Sequence, residues 1–251
     1  MTSPELLLNL ALLLLWCRVW TTTNDDRAFY FNPLASSMMR ATDRVLGWLR
    51  APLPFLPNRA LAGLALLLAL ALKALVMYSR GGTLFPVDYS NCLINEATLF
   101  LIFALQIAGL NALIRLISPG RAGRAGQVAE LATRPVSWIP QTAHQMLAAL
   151  AGIAIIMRLA HHPHIHAVLR TCVDILQIWS QCTLLAILAS LVGLFAPHSP
   201  VAAHGREYAA FLLGRFSGLL VVGMLDVTPI LFFYGLNFTH GVLYGLIPKF
   251  F

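Results

Sequence analysis

The segment Ala60–Tyr78, ALAGLALLLALALKALVMY, decides the fold class. Its only charged residue is Lys73, and a helix of about 20 apolar residues is long enough to cross the ~30 Å hydrocarbon core of a bilayer. The whole chain has the same character, because 59% of its 251 residues are hydrophobic and 11% are charged, against about 25% charged residues in soluble domains. Lipid therefore has to cover most of the surface, and we predict an integral membrane protein.

Five more apolar segments accompany Ala60–Tyr78, which predicts an all-α membrane protein with about six transmembrane helices. They are Leu6–Thr21, Ala97–Ile117, Ala143–Leu159, Ile175–Phe195 and Pro229–Ile247. We expect the first to remain as a membrane segment, because Glu5 stands where a cleavable signal would be positive. Phe211–Leu225 is also apolar, but glycines and Arg215 interrupt it, so we predict an interfacial or re-entrant piece there.

The basic residues predict the orientation in the membrane. Of the 17 Lys and Arg residues, 12 lie in the loops that follow the first, third and fifth segments or at the adjoining ends of these segments. The positive-inside rule then places these odd-numbered loops in the cytoplasm and both termini outside, in a bacterial inner membrane. We expect no nucleic-acid partner, since the basic residues lie between apolar runs without interleaved aromatic residues.

The odd-numbered loops resemble one another. The first, FNPLASSMMRATDRVLGWLRAPLP (Phe31–Pro54), matches ISPGRAGRAGQVAELATRPVSWIP (Ile117–Pro140), with Trp48 close to the place of Trp138. The third, APHSPVAAHGREYAAFLLGRFSGLL, has the same layout more weakly. We therefore predict one membrane domain, 1–251, built from three helix–loop–helix units of approximately 4–80, 90–160 and 167–251, each with a cytoplasmic amphipathic segment.

The first loop predicts an amphipathic helix. Asn32 is a suitable N-cap and Pro33 suits the first helical position. Apolar residues then recur at spacings of three and four, with arginines on much of the remaining surface. Such a helix either lies among the lipid headgroups, with its arginines toward anionic lipid, or packs on its own bundle, and the two arrangements are compatible.

These motifs resemble the YggT family of small bacterial membrane proteins, also called YlmG. The family's unit is a membrane helix, a turn with Asn-Pro, a short amphipathic stretch and an Asp-containing entry to a second helix. The matching residues here are Asn32, Pro33, Thr42, Asp43 and Arg44 in the first half and Asp226, Thr228 and Pro229 in the last. The family usually has two units, and proline is usual at the position of Arg44. The resemblance implies a role in ion or osmotic homeostasis, in cell division and envelope organisation, or in haem attachment as in chloroplast relatives.

A histidine-rich tract lies between the fourth and fifth segments. Its members are His161, His162, His164 and His166, and imidazoles at this density can bind zinc, copper or nickel. The alternative is a polar loop that becomes charged at low pH.

Charged residues in or beside the predicted spans have two interpretations each. Asp226 is either a functional intramembrane charge or, with Thr228, a cap for the helix that Pro229 opens, and we favour the cap. Lys73 either snorkels to the membrane surface or pairs with an acid such as Glu96 or Asp174, and we expect snorkelling.

Catalytic motifs are missing from the sequence, so we expect no enzyme and no cofactor. His144 and His240 could ligate haem in principle, but we expect hydrogen-bonded core histidines. Our first hypothesis is an assembly, scaffold or accessory factor that binds other integral membrane proteins. The alternatives are a transport or ion-homeostasis component, and a fixed subunit of a respiratory or photosynthetic complex.

Overall fold

The computed structural model describes residues 3–21, 32–80, 88–118, 123–160, 165–196, 198–222 and 225–250. Within these ranges the chain is helical apart from short turns and two two-residue strands. The α-helices are α1 (Ser3–Trp20), α2 (Pro33–Arg50), α3 (Asn58–Arg80), α4 (Tyr89–Ile117), α5 (Gly123–Thr133), α6 (Thr142–Leu159), α7 (Ile165–Phe195), α8 (Pro200–Leu213) and α9 (Thr228–Phe250). Single 3-10 turns, Arg134–Val136 and Gly214–Phe216, follow α5 and α8 directly. Strand β1 (Val221–Val222) pairs antiparallel with β2 (Leu225–Asp226).

Five of these helices, α3, α4, α6, α7 and α9, are long and apolar enough to cross a membrane. Each contains one of the predicted segments, so the all-α class with several possible membrane helices is confirmed. The predicted starts of two segments were wrong: α4 begins at Tyr89 instead of Ala97, and α7 begins at Ile165 instead of Ile175. The apolar part of α1, Leu8–Trp20, is shorter than the other five.

The chain divides into two compact units, Met1–Ala104 and Leu105–Phe251. The three predicted helix–loop–helix units stay a prediction. A shorter helix lies between two longer ones in α4–α6 and in α7–α9, whereas α1 and α2 both have 18 residues.

In the first unit, α3 shows two apolar faces. Leu61, Ala65 and Leu70 are buried in a core that α1, α2 and α4 complete with residues such as Leu12, Leu46 and Phe100. A second face of α3, which includes Leu67, Leu68, Leu72 and Leu75, is exposed. A continuous exposed leucine face is unfavourable in water and suits contact with lipid.

Helix α2 shows one of the two arrangements expected for the first loop, because it packs on its own bundle. The Asn32 side chain accepts hydrogen bonds from the amides of Leu34 (3.1 Å) and Ala35 (3.3 Å), and Pro33 opens the helix. One face packs into the core through Leu46, while Trp48 is 84% exposed.

In the second unit, Trp179 of α7 joins three helices. Its buried indole Nε1 donates to the carbonyl of Leu212 in α8 at 2.9 Å, and its ring lies edge-on to Phe232 of α9 at 5.1 Å. Gly205 permits the close approach of α8 and α7, since a Cβ at this position would lie 2.5 Å from the backbone nitrogen of Ser190. The packing of α8 on α7 therefore depends on the absence of a side chain at one position.

The stretch Phe211–Leu225 is not a membrane-spanning helix. It contains the end of α8, a 3-10 turn and most of the β1–β2 hairpin. Gly214 has φ +54°, a left-handed conformation that glycine adopts readily, and the Ser118 hydroxyl accepts from the amide of Arg215 at 2.8 Å. The interfacial or re-entrant position of this stretch remains a prediction.

Candidate functional site

A charged cluster lies between apolar helices of the first unit. Lys73 of α3 places its Nζ 2.6 Å from Glu96 Oε2 of α4 and 3.2 Å from Asn9 Oδ1 of α1. The side chains of Lys73 and Glu96 are only 10% and 4% exposed. Three helices of the first unit therefore converge on one buried positive charge and one buried carboxyl group.

The contact between Lys73 and Glu96 is an ion pair rather than an aligned hydrogen bond. In the part of the chain that the structure describes, no donor meets Oε2 of Glu96 in hydrogen-bonding geometry. Charges inside a membrane protein are costly and usually pair with one another or line a pathway. This cluster is therefore the strongest candidate for a functional site in the first unit.

The expectation that Lys73 snorkels was wrong. Lys73 lies about two turns, or ~10 Å, before the end of α3, whereas a carboxylate is available at 2.6 Å. No role was predicted for Asn9 from the sequence. A single polar amide within the leucine-rich α1 is the signal that could have identified it, because buried amides need a partner.

A second polar cluster joins α7 and α9. His240 Nε2 lies 3.2 Å from Asp174 Oδ1, with these side chains 17% and 37% exposed. One turn away, the Arg170 guanidinium lies 4.7 Å from the centre of the Tyr244 ring. His240 thus has a carboxylate partner, as expected for a hydrogen-bonded histidine, whereas His144 at the start of α6 is exposed.

The predicted metal site falls mostly outside the described residues. His161, His162 and His164 lie there, and His166 is in the first turn of α7. Among the residues that the structure does describe, no three His, Cys, Asp or Glu side chains are placed to hold a metal ion. Metal binding by the tract stays a prediction.

The predicted cap at the start of α9 has the geometry of a helix cap. The amide of Thr228 donates to Asp226 Oδ1 at 2.9 Å, and the Thr228 hydroxyl accepts from the amide of Leu220, also at 2.9 Å. Pro229 follows as the second residue of the helix. Asp226 and Thr228 thereby fasten the hairpin to α9.

The motif residues of α2 have different environments. Thr42 is buried and its hydroxyl donates to the Met39 carbonyl at 2.9 Å, whereas Arg44 is exposed. Asp43 forms an ion pair with Arg18 at 3.0 Å, and the Arg18 side chain is 6% exposed. The sequence did not predict this ion pair, through which Arg18 connects the end of α1 to α2.

An exposed acidic cap precedes α4. The Ser90 hydroxyl donates to Asp88 Oδ2 at 2.7 Å, and this hydrogen bond lowers the pKa of Asp88. Asp88 therefore stays ionised at the start of the helix, where a negative charge is favourable.

Comparison of the chain with known protein families, with curated proteins and with solved structures found no match. The resemblance to the YggT family consequently rests on the short motifs alone and stays a prediction.

Proposed function

We propose that the chain is a six-span protein of the bacterial inner membrane, related to the YggT family, with α2, α5 and α8 on the cytoplasmic side. Helix α1 is the sixth span, because its 18 residues extend about 27 Å, close to the thickness of the hydrocarbon core. The exposed indoles support this placement: Trp48 in the last turn of α2 is 84% exposed, and Trp138, which follows α5, is 79% exposed. Tryptophan favours the membrane–water interface.

Within this membrane, we propose that the protein is a non-enzymatic assembly, scaffold or accessory factor that binds other integral membrane proteins. The observation that carries the proposal is the outward face of α9. Only 11% of its apolar span is buried within the chain, the smallest share among the five spans. A Cβ added to Gly235, Gly241 or Gly245 would meet no atom within 4 Å.

Glycines separated by four positions allow two membrane helices to approach closely, and such packing drives helix association in lipid. Gly241 and Gly245 have this spacing, and the exposed rings of Phe238 and Tyr234 continue the face. A partner helix therefore has both a backbone to approach and aromatic surface to contact.

The test is quantitative co-purification of the tagged full-length chain in mild detergent. We expect membrane proteins that the wild type retains to be lost from the double variant Gly241→Leu, Gly245→Leu and kept by Val242→Leu, which adds bulk beside the glycine pair. A chain that purifies alone, or a partner that the double variant keeps, would contradict the proposal.

The same preparation separates a scaffold from a fixed subunit. An assembly factor associates with incomplete complexes in variable ratio, whereas a fixed subunit keeps a constant ratio to the mature complex. Both outcomes involve partner proteins, and the ratio decides between them.

A second candidate function is ion or proton transport, which the buried Lys73–Glu96 pair favours. Reconstituted liposomes test it: a wild-type chain that dissipates an ion or pH gradient, with Glu96→Gln inactive, would support transport. Glu130→Gln is the matched control, since Glu130 is 53% exposed and pairs with Arg115 outside the apolar core.

A further inference from the structure

A ladder of polar side chains follows one face of α7 through its first three turns. His166, Arg170 and Asp174 are four residues apart and therefore point to the same side of the helix. Helix α9 contributes His240 and Tyr244, also four residues apart. The contacts of Asp174 with His240 and of Arg170 with Tyr244 show that the two rows face each other.

One cation of the ladder, Arg170, has no ion-pair partner among the described residues. Asp174 and His240 satisfy one another at 3.2 Å. The Arg170 guanidinium instead lies over the Tyr244 ring, with which it makes a cation–π contact and no ion pair. No carboxylate in the described part of the chain pairs with the Arg170 guanidinium.

Two buried nitrogen atoms of the ladder have no hydrogen-bond partner among the described residues: Arg170 Nε and His166 Nδ1. Buried polar groups in folded proteins nearly always have a partner. Two such atoms one turn apart, on or beside an arginine that has no carboxylate partner among the described residues, indicate a place for an anionic ligand rich in acceptor oxygens.

The position along α9 indicates where such a ligand would come from. Tyr244 lies 16 residues beyond Thr228, or about 24 Å along the helix. This distance approaches the ~30 Å thickness of the hydrocarbon core, so the ladder lies near the membrane surface opposite the β1–β2 hairpin. Phospholipid headgroups are present at that level.

We propose that His166, Arg170 and Tyr244 form a binding site for a phosphate group, supplied by a phospholipid headgroup. The planar guanidinium matches phosphate oxygens with paired donors, and its stacking on Tyr244 fixes its orientation. His166 adds a donor one turn farther toward the helix end. The site is independent of the proposed scaffold function and requires only that the chain is inserted in a membrane.

The experiment uses the delipidated full-length chain in detergent and native mass spectrometry. The probes are phosphatidylglycerol and diacylglycerol of the same acyl chains, with inorganic phosphate measured separately by phosphorus NMR. We expect the wild type to retain phosphatidylglycerol and not diacylglycerol. Arg170→Gln lowers the affinity at least about tenfold, and His166→Ala, which leaves the stacked arginine in place, lowers it about fivefold.

Arg158→Gln is the matched control, because Arg158 is an exposed arginine in the last turn of α6 and its replacement removes the same charge. Its affinity should equal that of the wild type. Inorganic phosphate bound as tightly as the lipid would assign the site to free phosphate, whereas binding of the lipid alone assigns it to the headgroup. Equal retention of diacylglycerol, or unchanged binding in both Arg170→Gln and His166→Ala, would overturn the proposal.

Discussion

Replacing Glu96 by Gln leaves the Lys73 ammonium buried between α1, α3 and α4 without its carboxylate partner. The side chains are 4% and 10% exposed, so water does not replace the lost contact. Removing one member of a buried ion pair typically costs 3–5 kcal/mol, because the remaining charge is uncompensated. We expect about 3 kcal/mol for Glu96→Gln, the lower end, since Asn9 Oδ1 still accepts from Lys73.

Replacing both charges should restore most of the loss. In the double variant Lys73→Met, Glu96→Gln no charge remains to be desolvated, and exchanging a buried pair for uncharged residues is often neutral. We therefore expect the free energy of unfolding of the double variant to lie within ~1 kcal/mol of the wild type, so that adding Lys73→Met recovers at least ~2 kcal/mol of the loss caused by Glu96→Gln.

The assay is reversible unfolding of the purified chain in mixed micelles with increasing denaturing detergent, followed by circular dichroism. The matched control is Glu130→Gln, which breaks the exposed pair with Arg115 at 3.2 Å and should cost less than ~1 kcal/mol. A Glu96→Gln variant as stable as Glu130→Gln, or a double variant no more stable than Glu96→Gln, would refute the reasoning.

Three further changes test the packing of the second unit. Gly205→Ala should lower the free energy of unfolding by about 2 kcal/mol, because the new Cβ would lie 2.5 Å from the Ser190 nitrogen; an unchanged unfolding midpoint would contradict the close helix approach. Asp226→Ala should cost about 1 kcal/mol through loss of the cap, measured by the same unfolding assay, and Asp226→Asn, which still accepts a hydrogen bond, should recover most of it. Trp179→Phe should lower the free energy of unfolding by about 2 kcal/mol, because it leaves the buried carbonyl of Leu212 without its donor. The variant should therefore be digested faster than the wild type by a protease in detergent, and equal digestion rates would contradict this prediction.

The apolar helices could be predicted from sequence because their signal is local. A run such as Ala60–Tyr78 predicts a helix from composition and length alone, and Asn32 with Pro33 predicts the start of α2 in the same way. The predicted starts of α4 and α7 were wrong because polar residues, among them Glu96 and Asp174, belong to the same helices. A prediction from hydropathy leaves such residues outside the apolar segment, although the helix continues through them.

The polar contacts could not be predicted because they depend on the register between helices. The sequence named Glu96 and Asp174 as alternative partners of Lys73, but the relative height of two helices decides which carboxylate comes within 2.6 Å. The roles of Asn9 and Arg170 were missed for the same reason. Each is defined by a partner on another helix, and no spacing within one helix identifies that partner.

The buried pair also has a consequence for the biogenesis of the chain. During synthesis Lys73 enters the membrane before Glu96 exists, since Glu96 follows about 23 residues later, or one to several seconds at 5–20 residues per second. A lysine in a helix centre costs about 2.5–3.5 kcal/mol at insertion, a cost that the leucines of α3 offset. With α1 as the proposed sixth span, Asn9 is already made by then, and its amide oxygen can bind the ammonium group until α4 brings the carboxylate. The order of the three helices along the chain then suits their order of insertion.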